Sequence, residues 1–325
     1  MGVKGLNSLI AHWYRKEIKT INISLLFGKK IVIDTSIYMY EFKGRKSLLK
    51  DFNDMIIMFR NNKITPIFVF DGKGPIEKTE TLKDRKENKK KAENEYKLLS
   101  NELLVLEKSK DYLHQDRNKL ISRLTILEDK FVRIKREDIY NVKQLMELYG
   151  ITYYDHEGEA EQLCSKMVID GTAYACMSDD MDLFMYGCPR ILKRLDLLST
   201  TVDYYDLDSI LKTLNVSFKD FKQICVLSGT DYNKKTSTIP IKNAFKLFSA
   251  YECAVKNNKA TPNSFYYYIN NTVKNANINY KNLLSIIEMF DLSKVNIPNK
   301  IVSNYSFKNI DSADFEEKLN KVLTL

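Results

Sequence analysis

Lys30-Ile-Val-Ile-Asp34 is a short run of β-branched apolar residues that ends in a carboxylate, and Pro66-Ile-Phe-Val-Phe-Asp71 repeats that pattern. Between these two predicted strands, the apolar residues over 47–61 have the spacing of an amphipathic helix. The later predicted elements are strands at 151–154 and 173–177 and a helix at 160–169. Because strands alternate with helices, we predict an α/β fold with a central, mostly parallel sheet flanked by helices.

Carboxylates stand where such apolar segments end. The set is Asp34, Asp71, Glu159, Glu161, Asp180, Asp182 and Asp231. An acid at the end of a buried strand is costly unless a cation neutralises it, and parallel sheets bind ligands beyond the carboxyl ends of their strands. Taken alone, any one of these acids fits a solvated surface, and Asp180 fits a helix cap. Taken together, they predict a hard-cation site, with Mg²⁺ the preferred ion.

Several carboxylates are what two-metal phosphodiester hydrolysis needs. The two ions lie about 3.5–4 Å apart and have different roles. One lowers the pKa of a bound water, and the other stabilises the leaving oxygen. Glu159 and Glu161 are two residues apart, as are Asp180 and Asp182, so on an extended backbone each pair would face one way. Each pair would then serve one ion or bridge both through water. We therefore predict a metal-dependent phosphodiester hydrolase.

The composition favours a polyanionic partner. Lys and Arg number 51 against 42 Asp and Glu, a net charge of +9. If the acids cluster at one place, the rest of the surface is more basic than this number implies. No apolar run reaches the length of about 18 residues that a transmembrane helix requires, so we expect no membrane partner.

The segment from 76 to 149 contains no glycine and no proline. Its apolar residues recur at heptad spacing, mostly three and four apart, with Lys110 and Arg117 at two of the expected core positions: Leu99, Leu103, Leu106, Leu113, Leu120, Leu124, Leu127, Phe131 and Ile134. This pattern predicts long helices over 76–136 with a bend near 108–118, which form an antiparallel hairpin or arch. The basic run over 83–91 would be either a solvated helix face or a phosphate contact.

Six short motifs follow one another between residues 1 and 232. They are Met1-Gly-Val-Lys-Gly-Leu6, Gly28-Lys-Lys-Ile-Val-Ile-Asp-Thr-Ser36, Val69-Phe-Asp-Gly-Lys73, Gly158-Glu-Ala-Glu161, Asp180-Met-Asp182 and Leu227-Ser-Gly-Thr-Asp-Tyr232. In this order they resemble the motifs of the flap endonuclease family, the XPG-like structure-specific 5′ nucleases. The resemblance implies a PIN-like 5′-nuclease fold and a Mg²⁺-dependent endonuclease that cleaves 5′-flap DNA in replication, repair or recombination.

The resemblance also implies a role for individual residues. The seven acids would bind two Mg²⁺ ions, with Mn²⁺ as a substitute. Lys78 and Arg85 match a basic pair at the base of the helical arch; seven residues apart on a helix, both would point at the scissile phosphate. Tyr40 matches an aromatic that stacks on a base, and Gly2 would let the processed N-terminus lie near the DNA. Further expected DNA contacts are Lys83, Lys242 and Lys246.

We expect a 5′-nuclease catalytic domain at 1–255 and a C-terminal helical extension at 256–325. The catalytic domain would consist of an N-terminal region at 1–90, the arch at 76–136 and an internal region at 137–255 with a helix–turn–helix at 224–250. The chain departs from the family in that helix–turn–helix. Thr238-Ile-Pro-Ile-Lys242 has no glycine, and Pro240 has no N–H to donate. The interval from Asp71 to Glu159 is also longer than in typical cellular members, which implies an extended arch.

The expected partner is branched or single-strand/duplex junction DNA, bound by a monomer, and we find no sliding-clamp-binding motif. One alternative is a 5′→3′ exonuclease that acts on DNA or RNA with the same metal centre. Another is a catalytically inactive relative that only binds nucleic acid, against which the complete acid set argues. The odd number of cysteines, without a CxxC pair, predicts a reducing location, nuclear or cytoplasmic. The Asn/Lys/Ile-rich composition fits a large DNA virus, and the location would then be the site of viral DNA replication.

Overall fold

A computed structural model describes residues 2–13, 15–108, 114–233, 239–273, 279–298 and 313–325. A seven-stranded sheet forms its centre, in the order β1-β7-β6-β5-β2-β3-β4. The strands are β1 (Ile18–Asn22), β2 (Lys30–Asp34), β3 (Thr65–Phe70), β4 (Thr152–Asp155), β5 (Ala175–Met177), β6 (Arg190–Asp196) and β7 (Thr201–Asp206). The five strands from β6 to β4 are parallel, while β7 runs antiparallel to both β6 and β1. The predicted mostly parallel sheet is confirmed.

The central strand β2 is apolar on both faces because the sheet separates two hydrophobic cores. Val32 packs into one core, and Ile31 and Ile33 pack into the other. All three are fully buried, as expected for a parallel strand covered on both sides. The same alternation runs along β3, where Val69 lies in the first core and Phe68 in the second.

Fourteen α-helices lie within the described residues. They are α1 (Leu6–Trp13), α2 (Thr35–Gly44), α3 (Leu48–Asn61), α4 (Thr79–Lys108), α5 (His114–Lys130), α6 (Arg136–Tyr149), α7 (Ala160–Ile169), α8 (Asp182–Met185), α9 (Leu207–Leu214), α10 (Phe218–Ser228), α11 (Ile241–Lys256), α12 (Phe265–Thr272), α13 (Tyr280–Met289) and α14 (Ala313–Leu323). Helices α2, α3 and α6 cover one face of the sheet, and α7, α10 and α11 cover the other. In the same described segments of the chain, no helix is long and apolar enough to cross a membrane.

The arch is an antiparallel pair of helices, α4 and α5. Two ion pairs join them, Glu95–Arg123 at 2.6 Å and Glu107–Arg117 at 3.0 Å, and a third, Glu93–Arg133 at 2.5 Å, joins α4 to the segment that follows α5. Along these pairs the residue number of the glutamate increases while that of the arginine decreases, as in an antiparallel pair. The predicted hairpin is confirmed. Of the described residues in the apolar stripe, Leu127 is buried and the others are half-buried. Residues 109–113 of the predicted bend lie outside the described residues.

The C-terminal segment of the chain packs against both cores. Helices α12 and α13 add Phe265 and Ile286 to the core that contains α10. Helix α14 returns to the opposite face, where Phe315 contacts Tyr149 of α6 with ring centres 5.1 Å apart. The division between a catalytic domain at 1–255 and an extension at 256–325 stays a prediction.

Candidate metal centre

The acids meet at the carboxyl edge of the parallel strands. Asp34 is the last residue of β2 and Asp71 follows β3, while Asp180 lies three residues beyond β5. Six of the seven predicted ligands line one cavity of about 470 Å³: Asp34, Asp71, Glu159, Glu161, Asp180 and Asp231. The seventh, Asp182, is fully buried at the start of α8. The sequence-based expectation that these strand ends converge therefore matches the geometry.

Hydrogen bonds from two helix starts and from the end of β5 hold Asp34 and Asp71 in place. Asp34 accepts from the backbone N–H of Ser36 at 3.2 Å and from the hydroxyl of Ser178 at 2.9 Å. Asp71 accepts from the backbone N–H of Ala160 at 2.6 Å. Each acid thus keeps a defined orientation toward the cavity, which a metal ligand needs.

A close backbone contact brings Asp71 next to Glu159. The Gly72 N–H donates to the carbonyl of Gly158 at 2.9 Å. A Cβ on Gly72 would lie 2.1 Å from the carbonyl oxygen of His156, a distance at which two such atoms cannot coexist. Glycine is therefore required for the two loops to pair.

The ammonium group of Lys78 lies among the acids. Its Nζ is 2.6 Å from Glu159 and 3.8 Å from both Glu161 and Asp182, and the residue is only 5% exposed. Tyr232 completes this group, because its hydroxyl donates to the second oxygen of Glu159 at 2.6 Å and its ring centre is 5.0 Å from Nζ. Within the described residues, no three acids share one point as ready-made metal ligands. The ammonium of Lys78 instead lies within 4 Å of three of the acids, Glu159, Glu161 and Asp182.

Burial shifts the pKa values of the innermost groups. It raises the pKa of Asp34 to about 8, with the charge of Asp71 adding to the effect. Burial, then the nearby charge of Asp34, raises the pKa of Glu161 well above its usual range, and burial with the charge of Asp180 does so for Asp182. For Lys78, burial alone would lower the pKa, but the charges of the surrounding acids outweigh it and the pKa rises.

Asp182 is the group that most clearly requires a cation. Neither of its carboxylate oxygens has a hydrogen-bond partner, and the side chain is fully buried. A buried carboxylate without hydrogen bonds is strongly unfavourable. Lys78 at 3.8 Å neutralises its charge only in part, since two other acids share that ammonium. The donor set around Asp182 consists of carboxylate oxygens, which fit a hard divalent ion.

We expect the protein without divalent ions to lose stability as the pH rises. The pKa of Asp34 goes from 3.8 to about 8 on folding, so between these values the folded state holds a proton that the unfolded state has released. The free energy of unfolding therefore falls across that window. Thermal unfolding in a chelator measures it. Asp34→Asn should flatten the curve while the exposed control Asp208→Asn leaves it unchanged; equal slopes in all three proteins would contradict the assignment.

Arg85 contacts the seventh acid from the arch side. Its guanidinium donates to Asp231 at 2.6 Å, and the hydroxyl of Thr81 donates to the Asp231 carbonyl at 2.7 Å. Contrary to the prediction, Lys78 and Arg85 do not share the face of one α-helix, because they lie in different elements. Lys78 ends a 3-10 turn at Ile76–Lys78, and Arg85 lies in α4. Both side chains nevertheless line the acid cavity.

The other residues predicted to contact DNA lie in different places. Gly2 has a φ of +83°, and a Cβ there would come within 2.6 Å of both Asp180 and Asp182, so Gly2 packs directly on the acids. Tyr40 lines the cavity with its ring 4.6 Å from Nζ of Lys89. The remaining three are exposed, on α4 and α11: Lys83, Lys242 and Lys246. Contact of all these residues with DNA stays a prediction.

The turn that departs from the family precedes α11. Thr238 lies outside the described residues, and Pro240 is the residue before the first turn of α11. The backbone N–H of Ile239 donates to the carbonyl of Leu227 at 3.1 Å. Of the described residues in this turn, Pro240 has no backbone N–H, and the N–H of Ile239 is already bonded to Leu227. Neither backbone group is therefore free to donate to a phosphate.

Sequence reasoning missed three residues that support the site. Tyr232 ends the motif Leu227–Tyr232, and Ser178 lies two residues before the motif that starts at Asp180, but the sequence assigned neither of them a role. Lys193 of β6 is 3% exposed and donates to the carbonyl of Asp179 at 2.7 Å, which fixes the loop that carries Asp180. The sequence does not predict this contact, because Lys193 and Asp179 are fourteen residues apart and no local pattern links them.

Comparison with known proteins first defines the class. The XPG N-terminal domain model matches residues 1–92, and the XPG I-region model matches residues 150–231. The catalytic core of Rad2 in complex with DNA substrate has the same fold, with a TM-score of 0.67 and 20% identity, and covers 100% of this chain and 95% of that one. Flap endonuclease-1 from Methanococcus jannaschii gives a TM-score of 0.52 and 23% identity, over 94% and 95% of the two chains. The fold is that of the XPG-like 5′ nucleases.

Sequence relatives then give the family. Flap endonuclease 1 of Methanococcus aeolicus is 30% identical over 272 residues, which is 76% of this chain and 78% of that protein. Flap endonuclease 1 of Candida dubliniensis is 30% identical over 285 residues, 80% and 72% of the two. The chain therefore belongs to the flap endonuclease family of XPG-like structure-specific 5′ nucleases, whose members depend on divalent metal ions.

Proposed function

We propose that this protein is a Mg²⁺-dependent endonuclease that cleaves 5′-flap DNA by two-metal phosphodiester hydrolysis, in DNA replication, repair or recombination. The observation that carries the proposal is Asp182, fully buried with neither oxygen hydrogen-bonded, among acids that end parallel strands. The relatives named flap endonuclease 1 support the choice of substrate.

The residues that would hold two ions are the seven acids of the cavity edge. Bound divalent ions supply an activated water and stabilise the leaving oxygen. Asp34 and Asp71 are already oriented by hydrogen bonds, and Glu159 keeps one oxygen on Tyr232 and the other on Lys78. Mn²⁺ has similar oxygen-ligand preferences and should substitute for Mg²⁺.

Lys78 and Arg85 are the groups that would meet the scissile phosphate. In the structure each is paired with a carboxylate, at 2.6 Å in both cases. Cations aimed at a developing negative charge stabilise the transition state. We expect both side chains to exchange their carboxylate partners for phosphate oxygens when substrate enters the cavity.

A second cavity, of about 640 Å³, would receive the single strand. It lies between Tyr40 and the base of the arch, and four of its nine lining residues are cationic. The basic residues there are Arg85, Lys86, Lys89 and Lys130. Positive charge beside an aromatic ring is the arrangement that binds single-stranded nucleic acid. The cavity shares Tyr40 and Arg85 with the acid cavity, so a strand held in it leads to the metal centre.

Cleavage of labelled model DNAs tests the proposal. The purified protein, as a monomer, should cut a 5′-flap near the junction in Mg²⁺ and should cut blunt duplex or single strands at least about tenfold more slowly. Preference for recessed or blunt ends, with mononucleotide products, would favour the 5′→3′ exonuclease. Absence of cleavage with every DNA and RNA substrate, while binding persists, would favour the inactive relative.

A further inference from the structure

Trp13 is an exposed aromatic paired with a lysine. It is the last residue of α1 and the one tryptophan in the chain, and its side chain is 57% exposed. Nζ of Lys242, at the start of α11, lies 4.6 Å from its ring centre. A single exposed aromatic is ordinary on a protein surface. Trp13 differs from other exposed aromatic residues in its position relative to the acids and in the cationic residues near it.

Helix α1 fixes Trp13 at a set distance from the acids. The chain before α1 begins with Gly2 against Asp180 and Asp182. Leu6 and Ile10 of α1 are fully buried, so the helix is anchored in the core. With a rise of about 1.5 Å per residue, Trp13 lies roughly 10 Å along the helix beyond Leu6. That length is comparable to the rise of about three base pairs of duplex.

The surface around Trp13 is basic. Lys242 and Lys246 are exposed on α11, and Arg15 and Lys16 are exposed immediately after α1. Glu17 is the nearest acid in sequence and is only partly exposed. Cationic side chains grouped beside an aromatic ring match the alternating phosphates and deoxyribose rings of a nucleic-acid backbone.

The turn before α11 explains why side chains would be needed here. Pro240 has no N–H, and the N–H of Ile239 is already bonded to Leu227. Backbone donors, which bind phosphates at many helix starts, are therefore lacking at these two positions. Lys242 follows within the first turn of α11, where it can supply the positive charge instead.

We propose that Trp13 is a binding residue for the duplex arm of the branched substrate. Its indole packs on deoxyribose rings beside the phosphates that Lys242 neutralises. This inference rests on the proposed function, because it assumes that the acid cavity cleaves DNA at a junction. It adds a contact through α1 to those expected from α4 and α11.

The single tryptophan makes a direct test available. Wild-type protein in a chelator is titrated with blunt duplex and with a single strand of equal length, while anisotropy of labelled DNA reports binding. We expect duplex binding to change Trp13 emission, and single-strand binding to leave it unchanged. An unchanged emission at saturating duplex overturns the inference. Failure to bind any DNA overturns the proposed function, and this inference with it.

Variants separate the roles of ring and charge. Trp13→Ala should weaken duplex affinity and raise KM roughly tenfold with kcat unchanged, and Trp13→Phe should recover most of the loss. The matched control is Phe27→Ala, since Phe27 is 60% exposed with Nζ of Lys63 5.4 Å from its ring centre. Phe27 precedes β2, at the opposite edge of the sheet from the acids. Wild-type affinity in Trp13→Ala would contradict the proposal, even if flap cleavage itself is confirmed.

Discussion

Replacing Asp182 by Asn is expected to lower the rate of DNA cleavage by at least about a thousandfold, while DNA affinity stays close to that of the wild type. Both oxygens of Asp182 lack hydrogen bonds and lie among acids that hold a single shared ammonium. The amide keeps the size of the side chain but removes the charge that a divalent ion requires. Single-turnover cleavage of a 5′-flap, with affinity measured separately by anisotropy, gives both quantities.

The control for this variant is Asp208→Asn. Asp208 is exposed in the first turn of α9, so the same chemical change is made away from the site. It should cleave at the wild-type rate. Asp182→Asn should also melt higher than the wild type without divalent ions, because a buried, repelled charge is removed. If Asp182→Asn cleaves DNA at the wild-type rate, Asp182 is not part of the metal centre.

Replacing Lys78 by Met is expected to have two separate effects. It should lower kcat by about a hundredfold or more with little change in DNA affinity, since the ammonium acts on charge that develops in the transition state. Without divalent ions it should also destabilise the fold by about 3 kcal/mol, because removal of one partner leaves buried carboxylates uncompensated. Adding Mg²⁺ should restore most of that stability but none of the lost rate.

Lys50→Met, at an exposed position of α3, is the matched control and should change neither quantity. If Lys78→Met only weakens DNA binding, and does so less at high salt, Lys78 is a phosphate anchor. If Mg²⁺ does not recover the stability of Lys78→Met, then the ammonium and the metal do not neutralise the same acids.

The parallel region of the fold was predictable because its strands are unambiguous. β2 and β3 are continuous apolar runs, which buried parallel strands must be, and each ends in a ligand candidate. The arch was predictable because a long segment without glycine or proline has few alternatives to helix. Strands β6 and β7 were missed, since charged residues such as Lys193 and Asp203 interrupt their pattern.

The site was predictable as a set of acids but not as a geometry. On an extended backbone Glu159 and Glu161 would have faced one way, but Glu159 immediately precedes α7 and Glu161 lies in its first turn, within the helix that the sequence predicts at 160–169. The contact from Lys78 to Glu159 spans a long stretch of sequence, including the whole arch, and no local pattern encodes it. The support from Tyr232 and Lys193 likewise depends on tertiary packing.

The dependence of cleavage on Mg²⁺ concentration tests the central claim most directly. At saturating enzyme, the single-turnover rate on a 5′-flap should be negligible in a chelator. At low Mg²⁺ it should rise with a reaction order of about two, because the proposed mechanism uses two ions. Asp34→Asn and Asp182→Asn should remain inactive throughout the titration. Cleavage that persists in the chelator, or that these variants perform at the wild-type rate, would contradict a metal centre at the carboxyl edge of this sheet.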